Sequence, residues 1–133
     1  MNKWLGLLGI GVAAMTLLSC SSGQRLQTIA ITPASETFSA PDPAANVQLR
    51  ALGTYTHPPA TKDLTNQVTW TSNTPQVAVV SSSGLLSPAG VGCGGALVSA
   101  ALKTNDPVGN VVVGTMTVTV DDLNVPGCPQ PSP

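Results

Sequence analysis

From Thr28 onwards, the sequence repeats short runs in which apolar and polar side chains alternate. In the clearest run, residues 47–55, Val, Leu, Ala, Gly and Tyr occupy the odd positions and mostly polar residues the even ones. A period of two separates side chains onto the two faces of a β-strand, so each run predicts a strand with one buried face. Prolines and glycines separate the runs. Since no segment after the first 20 residues has the helical period, an all-β fold is expected.

Trp70 is expected at the centre of the core. It lies in the run 68–72, where small polar residues surround one large aromatic side chain. The short run 77–80 is expected to turn Ala78 and Val80 inward, and the last strand, 111–120, is expected to place Met116, Val118 and Val120 on one face. The predicted core residues are Trp70, Val68, Leu49, Ala78, Val80 and Val118, and Leu64 is the one side chain expected to be buried in the polar connection 63–67.

Two of the runs predict a hairpin. Residues 96–102 and 111–120 flank Asn105-Asp106-Pro107, a strong turn signal. An antiparallel pair sets the start of its first strand beside the end of its second, which places Cys93 near Val120. About seven short strands at this spacing predict an antiparallel β-sandwich.

The amino terminus reads as an export signal. Lys3 precedes an uncharged apolar stretch, 4–18, which is shorter than the roughly 20 residues of a membrane span. Its last four residues, Leu17-Leu18-Ser19-Cys20, resemble the lipobox of bacterial lipoproteins, in which the cysteine becomes the lipidated first residue. The alternative is an ordinary cleavable signal with an incidental cysteine, which would give a soluble secreted protein.

These features divide the chain into four parts. We predict a lipoprotein signal peptide at 1–19, a lipid-anchored tether at 20–27, the sandwich domain at 28–121 and a proline-rich tail at 122–133. The expected location is the cell envelope, on the membrane through lipid on Cys20. Ser22 is a residue that permits delivery to an outer membrane, if the source has one.

The cysteines predict a disulfide. Export places the chain in an oxidising compartment, and a lipid on Cys20 leaves Cys93 and Cys128 as a pair. Pro126-Gly127 is expected to fold the tail back towards Cys93. The alternative is two unpaired thiols.

Charge argues against nucleic acid as a partner. After removal of residues 1–19, four basic and six acidic side chains remain, a net charge of −2. Affinity for nucleic acid depends largely on clustered Lys and Arg, which this chain lacks.

No catalytic set, metal site or cofactor is predicted. His57 stands beside two prolines without partners at triad or ligand spacing, and no Gly-x-Ser-x-Gly elbow occurs. Asp121 and Asp122 would contribute to a calcium site only if Asp63 or Asp106 came near. Adjacent aspartates at a strand end are more often simply solvated.

The ordered strands resemble the group 2 bacterial immunoglobulin-like domain. The resemblance extends from Ile29 to Val120 through the segments IAITP at 29–33, LRALGTY at 49–55, DLT at 63–65, VTWTS at 68–72, VAVVSSSGL at 77–85 and TMTVTV at 115–120. The resemblance implies that the predicted sandwich is immunoglobulin-like and serves as a spacer or adhesion module of a bacterial surface protein, without a catalytic set. This chain departs from it in carrying a single copy and in placing Cys93 in a glycine-rich corner.

The expected function is therefore a non-enzymatic, lipid-anchored cell-envelope module that binds or spaces an envelope protein or glycan. The alternative is a surface carbohydrate-binding or adhesion accessory, which would need exposed aromatic side chains. After residue 19, the chain offers only Phe38, Tyr55 and Trp70 for that purpose.

Overall fold

A computed structural model of the chain describes residues 23–90, 92–122 and 124–128. Within these ranges it contains ten strands and no helix. The strands are β1 (Arg25–Thr32), β2 (Ser35–Phe38), β3 (Val47–Gln48), β4 (Arg50–Thr56), β5 (Ala60–Asp63), β6 (Thr69–Ser72), β7 (Ala78–Val80), β8 (Leu85–Pro88), β9 (Gly94–Lys103) and β10 (Val111–Val120).

The strands form three hydrogen-bonded sheets, which confirms the all-β sandwich. Their orders are β1-β4-β5, β2-β10-β9-β6 and β3-β8-β7. The predicted strand 47–55 is divided at Leu49, because β3 pairs with β8 whereas β4 pairs with β1 and β5. This division, together with the short strands β2 and β5, raises the count from about seven to ten.

The predicted hairpin is confirmed along its whole length. β9 and β10 pair antiparallel from Val111↔Lys103 to Val120↔Gly94. The far edge of this sheet departs from the antiparallel prediction, because β2 runs parallel to β10 from Thr117↔Ser35 onwards. Pro33 has no N–H to donate, so β1 ends before it and the chain passes from one sheet to the other.

The core lies between the sheets. Trp70, Val68, Leu49, Ala78 and Val118 are buried in it, as is Leu64. Val80 packs at its margin and is only half-buried. Val77 is buried at the start of the same segment, because the turn before β7 directs it inward.

The tether and tail boundaries need correction. β1 begins at Arg25 because the buried Leu26 fills the space above Gly53, where a Cβ atom would lie 2.9 Å from Leu26 Cδ1. Residues 25–27 therefore belong to the domain rather than to the predicted tether at 20–27. Cys128 is buried at the other terminus, so packed structure extends past the predicted limit at 121. The predicted signal peptide, 1–19, lies outside the described residues.

Candidate functional site

The sandwich has two ends that differ in structure. The disulfide end comprises 36–43, 92–94, 121–122 and 124–128. The amino-terminal end comprises 23–27, the β4–β5 loop 57–59 and the β9–β10 turn 104–110.

A disulfide joins Cys93 to Cys128 at the disulfide end, with the two Cα atoms 5.7 Å apart. The register of the hairpin places Cys93 next to the pair Val120↔Gly94. Two turn hydrogen bonds, from Val125 N to Asp122 O and from Cys128 N to Val125 O, then return the tail. Hairpin geometry and a Pro-Gly turn thus bring the two cysteines together as the sequence predicts.

Asp121 is buried at the same end, with 2% of its surface exposed. Its N–H donates to Phe38 O at 2.8 Å, whereas its Oδ1 has no hydrogen-bond partner among the described residues. Asp122 Oδ1 instead accepts a hydrogen bond from Asn124 N.

Asp106 holds the β9–β10 turn at the opposite end of β10. Its carboxylate accepts hydrogen bonds from Thr104 Oγ1, from the backbone N–H of Gly109 and from Asn110. These bonds, that of Thr104 foremost, hold the pKa of Asp106 below its ordinary value. Asp106 is therefore committed to the turn and lies far from Asp121.

Asp63 is also committed to local structure. The side-chain hydroxyl and backbone N–H of Thr65 donate to it, and Arg50 Nη2 lies 3.0 Å from its Oδ2. Mainly because of the Thr65 bonds, the pKa of Asp63 is lowered from 3.8 to about 2. The structure thus does not bring Asp63 or Asp106 to Asp121 and Asp122. Nowhere in the described ranges do three or more His, Cys, Asp or Glu residues form a group able to hold a metal ion.

His57 is exposed in the loop between β4 and β5, with φ at 58°. The absence of catalysis stays a prediction. The aromatic side chains of the described part do not form an open platform, because Phe38 and Trp70 are buried and Tyr55 is half-buried. Lys62 Nζ lies 4.7 Å from the centroid of the Tyr55 ring, in a cation–π contact.

The amino-terminal end begins just after the predicted lipidation residue. Cys20 itself lies outside the described residues. From Gln24 the chain is held in place, since Gln24 Nε2 donates to Pro58 O at 3.1 Å and Gln24 Oε1 accepts from Lys62 Nζ. Between the amino-terminal segment and the β9–β10 turn lies an open groove of about 710 Å³, with Arg25, Tyr55, Lys103 and Asp106 in its lining. Sequence reasoning missed this proximity, because it depends on how β1 packs against β10.

The outer face of the four-stranded sheet consists of Thr, Ser and aliphatic side chains, with Lys103 opposite Val111 at one end. The strand registers place its side chains in adjoining rows. We define the outer face as Val111, Val113, Thr115 and Thr117 of β10, Leu97, Ser99 and Ala101 of β9, and Thr69 and Thr71 of β6. Val113 is 53% exposed and Leu97 40% exposed. The sequence indicated the alternation of each strand, but the continuous face follows only from the register.

Neither a protein-family model nor a curated protein sequence matches this chain. Over the ranges that the structure describes, no helix has both the length and the apolar character needed to cross a membrane.

Proposed function

We propose that this protein is a non-enzymatic cell-envelope module, held on a membrane by lipid on Cys20 and presenting its outer face to a protein partner. The observation that carries the proposal is the position of Cys20, five residues before the first residue of β1, Arg25. A cysteine at the end of an export signal and immediately before a folded domain is where a lipid anchor acts as an attachment point.

The short tether supports a role at the membrane surface. Gln24 already belongs to the packed structure through its bonds to Pro58 and Lys62. Only three Cα–Cα steps separate Cys20 from Gly23, and each spans at most about 3.6 Å. A domain attached in this way stays against the lipid headgroups, and its partner must come to it there.

The composition of the outer face favours a protein partner over a glycan. Its Thr, Ser and Val side chains provide apolar methyl groups and hydroxyl groups on a rigid sheet, without a charge that would have to be desolvated. Glycan recognition usually uses exposed aromatic rings, and of the three aromatic side chains in the described ranges Phe38 and Trp70 are in the core and Tyr55 is half-buried. In a cell with an outer membrane, Ser22 after the lipidated cysteine favours delivery to that membrane.

Metabolic labelling with a palmitate analogue tests the anchor. We expect label on the wild-type chain, none on Cys20→Ala and full label on Ser21→Ala, which serves as the matched control. Equal labelling of wild type and Cys20→Ala, or no label on either, would contradict the proposal.

Photo-crosslinking in intact cells tests the partner surface. A photoreactive residue at Thr115, in the centre of the outer face, is expected to form a discrete adduct with one protein. The matched control is Thr61, which is also an exposed threonine and lies on β5 of the β1-β4-β5 sheet. Adducts of equal yield at both positions, or at neither, would rule out the outer face as the binding surface.

A further inference from the structure

We infer that the amino-terminal end of the domain makes a second, non-covalent contact with an anionic lipid surface, through Val108 and the basic side chains around it, and that the disulfide end points away from the membrane. This inference rests on the proposed lipid anchor at Cys20. It adds an orientation to that proposal and identifies the residues that set it.

The path of the chain places the β9–β10 turn beside the anchor. Gly23, three residues after Cys20, lines the same groove as Lys103 at the end of β9 and as Thr104 and Asp106 of the turn. The reach from Cys20 to Gly23 is at most about 11 Å. A lipid on Cys20 therefore holds the turn close to the bilayer, whereas the disulfide lies at the other end of the ten-residue strand β10.

Val108 gives this turn an apolar tip. It is 81% exposed, more than any other large apolar side chain of the described ranges. Asp106 holds the turn in place by accepting hydrogen bonds from Gly109 and Asn110, so Val108 is presented on a rigid support. An exposed aliphatic side chain beside a lipid anchor suits shallow insertion at the headgroup boundary.

The distribution of charged side chains supports the same orientation. The amino-terminal end carries Arg25, and the basic side chains of Lys62 on β5 and Lys103 on β9 lie beside it; Asp106 lines the same groove as Arg25 and Lys103 and is already bound within the turn. Among the described residues of the disulfide end, the charged side chains are all acidic: Glu36, Asp42, Asp121 and Asp122. Arg50 and Asp63 neutralise each other between the two ends. An anionic membrane attracts the first end and repels the second.

The covalent anchor allows a weak contact to matter. Attachment of the domain to the membrane raises the effective concentration of the turn at the lipid surface. One valine and three basic side chains, insufficient to recruit a soluble protein, are then enough to select one orientation.

Fluorescence quenching by brominated lipids tests the orientation. The chain from Cys20 onwards retains every described strand, and with the Cys93–Cys128 disulfide formed its single free thiol is Cys20. That thiol is coupled to a maleimide lipid in phosphatidylglycerol-rich vesicles, with or without bromine on the acyl chains. Two variants are compared, Val108→Trp at the turn and Val125→Trp at the disulfide end, where the native valine is 47% exposed.

We expect brominated lipid to reduce the Val108→Trp emission. Coupling to vesicles should also shift the emission of this variant to shorter wavelength. Neither change is expected for Val125→Trp. Arg25→Gln with Lys103→Gln, or phosphatidylcholine in place of phosphatidylglycerol, is expected to reduce the quenching at residue 108. Equal quenching of the two variants, or quenching of neither, would overturn the inference. Because the anchor is attached chemically, a failure here is distinct from a failure of lipidation, which palmitate labelling reports.

Discussion

The indole ring of Trp70 lies against the backbone of Gly84, where a Cβ atom would stand 3.1 Å from ring atoms Cε2 and Cζ2. Gly84 has φ at 82°, a conformation that glycine adopts without steric cost. The ring nitrogen donates to Thr65 O at 2.9 Å. Trp70 therefore joins β6 to the turn before β8 through an apolar contact and to the connection after β5 through a polar one.

We expect Trp70→Ala to lower the free energy of unfolding by about 3 to 5 kcal/mol, because it removes a large buried side chain and leaves a cavity. Trp70→Phe keeps part of the ring but leaves Thr65 O without its donor, so an intermediate loss is expected. Urea unfolding followed by circular dichroism measures both. A Trp70→Ala variant with unchanged stability but lost partner binding would show that the side chain serves recognition instead.

The strands with a buried face could be predicted because alternation is a local property of the sequence. The odd positions of 47–55 and the apolar face of β10 needed no knowledge of their partners. β2 and β5 were not predicted, because their formation depends on distant strands and not on a local pattern. Ser35–Phe38 and Ala60–Asp63 are short and mostly polar, and they become strands because β10 and β4 offer free hydrogen-bonding edges.

The candidate surfaces were predictable to different degrees. Cys93 and Cys128 could be paired because one hairpin and one turn determine their separation. The outer face and the division of charge depend on register and on the packing of β1 against β10. Arg25 and Lys103 are 78 positions apart in sequence, and nothing local indicates that they line one groove.

Loss of the disulfide is expected to destabilise the domain by roughly 3 to 4 kcal/mol, since the bond closes a loop between cysteines 35 residues apart. The measurement is the urea midpoint of the wild type with and without reductant, beside the double variant Cys93→Ser/Cys128→Ser. Cys20→Ser is the matched control and should behave as the oxidised wild type. Identical midpoints with and without reductant would contradict this expectation.

Acid should weaken the domain in part through Asp63. Folding lowers the pKa of this carboxyl from 3.8 to about 2, so its stabilising contribution is complete above about pH 4 and is lost as the pH falls through about 2. We expect Asp63→Asn to flatten the dependence of the urea midpoint on pH across this window. Some acid sensitivity should remain, because the pKa of Asp106 is lowered in the same direction.

Variants of Thr65 identify the cause of the lowered pKa of Asp63. The Thr65 hydroxyl donates to Asp63 and accepts from Ala51 N. Thr65→Ser preserves both bonds and should retain the wild-type pH profile, whereas Thr65→Val should flatten the profile and also lower stability at neutral pH. Superimposable profiles for Thr65→Val and the wild type would assign the shift to the Thr65 backbone N–H and Arg50 instead of the hydroxyl.

At Gly114 the backbone of β10 lies close against Ile29 of β1, and substitution of this glycine tests how the sandwich is closed. A Cβ atom there would lie within 2.9 Å of the carbonyl carbon of Ile29 and still nearer to its oxygen, so the backbones must move apart. We expect Gly114→Ala to cost about 1 to 3 kcal/mol in urea unfolding. Gly95→Ala, in the other strand of the same hairpin, is the matched control, because its nearest atom would be 3.9 Å away. With its φ outside the left-handed region, Gly95→Ala should be neutral or stabilise by up to about 1 kcal/mol. Equal effects of the two substitutions would mean that β1 does not press on β10 at this position.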